Sequence, residues 1–318
     1  MAALKENIRS FELDDTIPEY GVSSRQISAA MRKALSRLGV PHPLHLHTHN
    51  LGLPGSVETA VATIEAAEGE PLHLAHLQFY AYGTEGGFGM SSGAVRLAEQ
   101  LSRHKNVTAD VGQVMFGPTC TISSDTMTQF NARRWASPKK WGVRDGDANG
   151  GGIVPYNYKA GNKIAALQWA IGLELFLAID DPAQVYMTTD HPNGGPFTSY
   201  PDLIAQLMDR SARQAVMDQL PKEALEVSAL ASMTREYSLR DIAVMTRQAP
   251  ARLLGLTDRG HLRPGAVADV SVYRESPDKA AMFRRATHVT KNGTFIVRNG
   301  QLAAPRYGRT LSVAPNYD

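Results

Sequence analysis

The stretch PLHLHTH, Pro43 to His49, decides the architecture of this chain. Apolar and polar residues alternate in it with the period of a strand. Leu44 and Leu46 therefore share one face, and His45, His47 and His49 share the other. Upstream, Ser23 to Leu38 spaces Ile27, Ala30, Met31, Ala34, Leu35 and Leu38 by threes and fours between a serine and Gly39, which predicts a capped amphipathic helix. Downstream, helix Val57 to Ala67, strand Leu72 to Leu77, helix Ala94 to Leu101 and strand Val107 to Val111 keep the alternation. After a long irregular stretch, helix Lys163 to Ile179 leads into a fourth strand, Val185 to Thr189, and two or three helices fill Tyr200 to Leu256. Strands alternating with helices predict a parallel sheet. Beyond Gly255 the pattern changes to short β-rich pieces, Asp269 to Tyr273, His288 to Lys291 and Phe295 to Arg298, divided by Asn292-Gly293 and Asn299-Gly300 turns. They predict a second, all-β unit of about 60 residues.

The composition narrows the function. A balance of 33 basic against 31 acidic residues leaves a net charge of +2, too small a field to hold nucleic acid or an anionic membrane. Cys120 is the single cysteine, so no internal disulfide forms and a reducing, cytoplasmic setting is expected. The opening Met1-Ala2-Ala3-Leu4-Lys5-Glu6 turns charged at once, unlike a secretory signal. The most apolar run, Ile164 to Ile179, contains Gln168 and Glu174 and is shorter than the roughly 20 apolar residues of a membrane span, so a buried helix is expected.

Three imidazoles on one strand face point to metal ligation, against a plainer reading as hydrogen-bonded histidines. His76 ends the second expected strand and Asp190 the fourth, at the carboxyl edge where barrel enzymes carry their chemistry. Asp190 also suits a simple turn. Two histidines and a carboxylate at successive strand ends suit zinc and an activated water. Gly87 to Gly93 has serine where a dinucleotide loop needs its third glycine and is expected to be a turn. Cys120 is expected to be inert, and the glycine-rich 145–152 a connector. Phe130, Arg133, Arg134, Trp135, Lys139, Lys140 and Trp141 make either a solvated loop or a dock for an anionic substrate tail.

The blocks His45 to Gly52, Ala75 to Phe79, Asp110 to Val114, Ala165 to Ile179 and Thr188 to Asn193 together resemble the A subunit of formylmethanofuran dehydrogenase and of the related formyltransferase/hydrolase complex. Pro250 to Leu256 and Gly260 to Val270 resemble amidohydrolases more widely. The resemblance implies an α/β fold, with 1–255 as the second half of a TIM-type (β/α)8 barrel, strands five to eight, and 256–318 as part of a small β-sandwich. It implies two zinc ions. His47, His76 and Asp190 match the family's metal ligands; His45 is a weaker match, and His49 stands where asparagine is expected. It further implies substrate contacts from Asn50, Gln78, His191 and Asn193, with Arg133 and Arg134 toward a polyglutamyl-type tail. The family's strand-one His-x-His and strand-four lysine have no counterpart. Only 46 residues precede His47, where four βα units need about 120; Met1 then falls near the end of strand four, and Lys5 is no substitute.

The expected activity is reversible hydrolysis of an N-formyl amine on a methanofuran-like carrier to formate and free amine, in one-carbon metabolism and within a multisubunit complex. Two alternatives stand beside it. One is an amidohydrolase of the dihydroorotase or hydantoinase type. The other is a non-catalytic fragment or scaffold component, whose unpaired strand edges need a partner.

Overall fold

The computed structural model describes residues 12–18, 20–123, 152–303, 305, 307–308 and 310–311. Its centre is a parallel sheet of four strands, β1 (Leu44–Leu46), β2 (Leu72–Leu74), β3 (Val107–Asp110) and β6 (Val185–Tyr186), in the order β6-β3-β2-β1. The register sets Leu44 beside Leu72 and Val107, His45 beside His73 and Thr108, and Ala109 beside Val185. Because side chains alternate, the leucine and valine set lies on one face and His45, His73, Thr108 and Asp110 on the other. The apolar face is buried under helices α2 (Ser56–Glu65), α3 (Ala94–Arg103) and α4 (Lys163–Ala178). The polar face carries the candidate site.

Helix α1 (Ser24–Arg37) opens with a capping box between Ser23 and Gln26, as the sequence predicts, but buries a different face. Ser28 and Arg32 are buried while Met31 is 49% exposed. Arg32 decides this by donating to the Ala66 carbonyl at 2.7 Å, where α2 ends. The long irregular stretch of the sequence contains an antiparallel hairpin, β4 (Gly117–Ser123) with β5 (Gly152–Tyr158). Pro118 and Pro155 lie inside the paired strands, where proline is uncommon. Cys120 is half-buried on β4.

Helix α4 is buried on every side from Ala165 to Leu177, including Gln168 and Glu174. It starts where Asn162 accepts from the amides of Ile164 and Ala165 at 3.0 Å. Burial raises the Glu174 carboxyl above the ordinary range, against the hydrogen bonds it accepts from Ser92 and the Ala229 amide. The native state then holds this proton at pH values where the unfolded chain has lost it, so the stability it contributes is present in acid and is lost as pH rises through the raised value. Thermal unfolding between pH 4 and 8 is expected to show the Glu174→Gln variant gaining on the parent as pH rises; a constant difference contradicts this.

Where two or three helices were expected, five follow: α5 (Tyr200–Met208), α6 (Arg210–Met217), α7 (Lys222–Glu226), α8 (Leu239–Ala243) and α9 (Ala249–Leu253). New caps open α6 and α8, while α8 runs into α9 through a π-helical turn, Val244–Gln248. Asp209 accepts from the Ser211 amide at 2.7 Å, and Ser238 makes a capping box with Asp241. Arg213 of α6 has no exposed surface and donates to the carbonyls of Gln206, Met233 and Arg235 at 2.7, 3.3 and 3.2 Å. Replacing it by methionine leaves buried acceptors unpaired, and a loss of about 2 kcal/mol in denaturant unfolding is expected.

The C-terminal part is an antiparallel sheet, β7 (Val270–Val272), β8 (His288–Lys291), β9 (Thr294–Arg298) and β10 (Gln301–Leu302), in sequence order. Asn292-Gly293 and Asn299-Gly300 turn the hairpins with positive φ at both residues of each pair. Helix α10 (Lys279–Arg284) packs on α5, where Arg284 pairs with Asp202. No helix of the described residues is long and apolar enough to cross a membrane.

Candidate metal centre

His47 and His76 leave β1 and β2 at their carboxyl ends, and their rings meet: His47 Nδ1 lies 2.7 Å from His76 Nε2. The meeting depends on backbone turns. His76 has φ 32°, a left-handed conformation rare outside glycine, which lifts its ring out of the strand direction. Asp190 does the same after β6, with φ 46°. Between them sits Gly112 at φ 68°, so close that a Cβ there would stand 2.5 Å from His76 Cβ and 3.4 Å from Asp190 Cβ. Side-chain-free backbone at residue 112 is what lets the ends of β2, β3 and β6 converge. Asp190 accepts from Asn193 Nδ2 at 2.8 Å and its carbonyl from the Asn193 amide at 2.6 Å, so the turn and the site are one structure.

The expected trio of β1 imidazoles divides. His45 and His47 stack with ring centroids 5.5 Å apart, but the strand ends at Leu46, and alternation ends with it. His49 lies instead in the field of Glu12 and Asp15. Asn50, at φ 68°, donates its amide to Thr59 on α2 at 2.8 Å. Gln78 is fully buried and accepts from the Val114 amide at 2.8 Å, where it braces the strand ends from behind. His191 is exposed and packs against Phe197 at 5.0 Å. Arg133, Arg134 and the rest of the basic aromatic segment lie outside the described residues.

Two residues of this face escaped the sequence reading, His73 and Asp110. Among the described residues, one set of three metal-donor side chains closes to within 4.8 Å, and it is His45, His73 and Asp110. Asp190 is not in it. His73 Nε2 stands 3.3 Å from Asp110 Oδ2, and His73 Nδ1 is 2.9 Å from Thr108 Oγ1. Thr188 Oγ1 donates to Asp110 Oδ1 at 2.5 Å and accepts from the Gly112 amide at 2.8 Å. The period-two rule, applied to β2 and β3 as it was to β1, would have found both residues.

Electrostatics favour neutral imidazoles and an ionised carboxylate, the forms that bind metals. Burial, and then the neighbouring His76, push His47 below the ordinary histidine value, against the pull of Asp190 and Asp110. Burial and His73 lower His45 in the same way. Burial alone would raise Asp110, but hydrogen bonds from His73 and Thr188 outweigh it and hold the carboxyl below its usual range. Tyr80, stacked on His76 at 5.4 Å, is pushed far up by burial and the field of Asp190, and stays a neutral phenol.

The chain is similar to proteins already known. The chain is 50% identical, over 98% of its length, to the A component of the formyltransferase/hydrolase complex Fhc of Methylorubrum extorquens, and 35% identical over 97% to protein FwdA of Methanocaldococcus jannaschii. It spans 58% and 57% of those two proteins. It superimposes with a TM-score of 0.90 and 50% identity on the crystal structure of the Methylorubrum extorquens complex FhcABCD with methylofuran, covering 98% of this chain and 57% of that one. The amidohydrolase family profile matches residues 9–301. Parallel strands that deliver histidines and a carboxylate to one end, and a family match across nearly all the described residues, lead to one conclusion: the chain belongs to the amidohydrolase family.

Proposed function

We propose that this chain is part of a metal-dependent amidohydrolase that reversibly hydrolyses an N-formylated, methanofuran-type amine to formate and free carrier. It acts within a formyltransferase/hydrolase or formylmethanofuran dehydrogenase assembly of several subunits. On this reading, 1–255 contributes strands five to eight of a (β/α)8 barrel and 256–318 part of a β-sandwich. What carries it is the convergence of His47, His76 and Asp190 at the ends of β1, β2 and β6, where Gly112 lets His76 and Asp190 approach. The likeness to the Fhc component, higher than that to FwdA, supports the hydrolase assembly.

Two imidazole nitrogens with a carboxylate beside them fit zinc. When bound there, zinc polarises a carbonyl and lowers the pKa of water toward ~7. His47 and His76 would hold it. Asp190 takes the proton of the attacking water and returns it to the amine nitrogen as the C–N bond breaks and formate leaves. Asn193 keeps the carboxylate turned for this exchange. His191, exposed at the same turn, faces the substrate. Arg133 and Arg134 meet an anionic carrier tail, so reversing both to glutamate is expected to raise the carrier's KM and flatten its salt dependence.

The test is elemental mass spectrometry of the purified chain, followed by assay with zinc and partner subunits on an N-formyl amine and on cyclic ureides. Bound zinc and formate release from the formyl amine alone support the proposal. A chain that opens cyclic ureides, or that stays inactive with zinc, partner subunits and the remaining barrel strands supplied, overturns it.

A further inference from the structure

We propose that His45, His73 and Asp110 form a second divalent-cation site, of the zinc class, on the polar face of the parallel sheet. It lies one residue layer below the strand ends, and its residues are separate from the His47, His76 and Asp190 set of the proposed function.

Spacing is the first reason. His73 Nε2 and Asp110 Oδ2 stand 3.3 Å apart, at the long end of hydrogen-bonding distance. Two ligands of a tetrahedral ion, each about 2.0 Å from the metal, stand about 3.3 Å from one another. A nitrogen of His45 completes a set whose donor atoms all lie within 4.8 Å. The ladder fixes this grouping, because His45 and His73 are register partners on adjacent strands.

Anchoring is the second, independent reason. Each inner donor has its remote atom tied to a threonine: His73 Nδ1 to Thr108 Oγ1 at 2.9 Å, and Asp110 Oδ1 to Thr188 Oγ1 at 2.5 Å. That leaves His73 Nε2 and Asp110 Oδ2 facing one another. Bound metals hold their histidines and carboxylates in this way, through partners that fix ring tautomer and orientation. Two imidazoles in three donors select zinc or cobalt over calcium and magnesium.

The test is a Co2+ titration of the metal-stripped full chain, followed by visible absorption, for the parent, Asp110→Asn and His76→Asn. Asparagine tolerates the left-handed backbone at residue 76. One equivalent that survives in His76→Asn and disappears in Asp110→Asn is expected. If that is the parent's only equivalent, this site stands and the strand-end metal reading fails. Should Asp110→Asn not fold, Thr108→Val keeps all three donors and loses one anchor, and a drop in affinity of about 10–100-fold is expected. A folded Asp110→Asn or Thr108→Val chain with the parent's stoichiometry and affinity overturns the proposal, as does a His76→Asn chain that binds no metal.

Discussion

The Asp190→Asn variant is expected to lose about 10³-fold in N-formyl amine hydrolysis, within the range of general acid–base contributions, while the fold and most bound metal persist. Asparagine fits the site without remodelling it. Its side-chain oxygen still accepts from Asn193 Nδ2, and it adopts the positive φ of residue 190 more readily than most residues. The loss is therefore of proton transfer, not of shape. The split between kcat and metal content checks it: kcat falls with zinc retained and an unchanged circular dichroism spectrum. Full activity removes Asp190 from the proposed mechanism, and loss of zinc in parallel with activity reassigns it as chiefly a ligand.

Gly112→Ala is expected to cost about 3 kcal/mol of stability, from left-handed strain of about 1–2 kcal/mol and overpacking of about 1–3 kcal/mol. The added methyl arrives 2.5 Å from His76 Cβ and 3.0 Å from its Cα, atoms that cannot swing aside without moving the end of β2. Asp190 Cβ, at 3.4 Å, limits relief in the other direction. His76 is thus driven away from the position where it meets His47, and a misplacement of about 1 Å is worth about 10²-fold in turnover. Gly112→Asn separates the two causes, since asparagine tolerates the φ but brings the same Cβ. If Gly112→Asn is as stable and active as the parent, strain alone was at work and the crowding argument fails. Equal defects in both variants locate the effect in the contact with His76.

Much of the fold was legible because hydrophobic periodicity is local. The alternation around His45 and His47, the apolar continuity of Ala165 to Leu177 and the Asn-Gly turns each stand for a structure that a few neighbouring residues decide. Where a long-range partner decides, local reading failed. The stripe of α1 pointed inward on paper, yet the Arg32 hydrogen bond to Ala66, 34 residues away, turned another face to the core. His49 followed the alternation only as far as the strand persisted, and the strand stopped three residues earlier.

The candidate site divides along the same line. The residue types belong to the sequence: imidazoles and carboxylates at the ends of alternating strands already pointed to a metal, and the motifs already pointed to the family. Convergence belongs to the tertiary structure. His76 reaches His47 through a left-handed turn that no pattern in the sequence encodes, and Gly112 matters only because two strand ends close on it. His73 and Asp110 become partners of His45 through the parallel register, across 28 and 65 residues of chain. Local propensity fixed which elements form and which chemistry they carry. The pairing of strands fixed which side chains stand within bonding distance, because that distance is set by hydrogen bonds between segments remote in sequence.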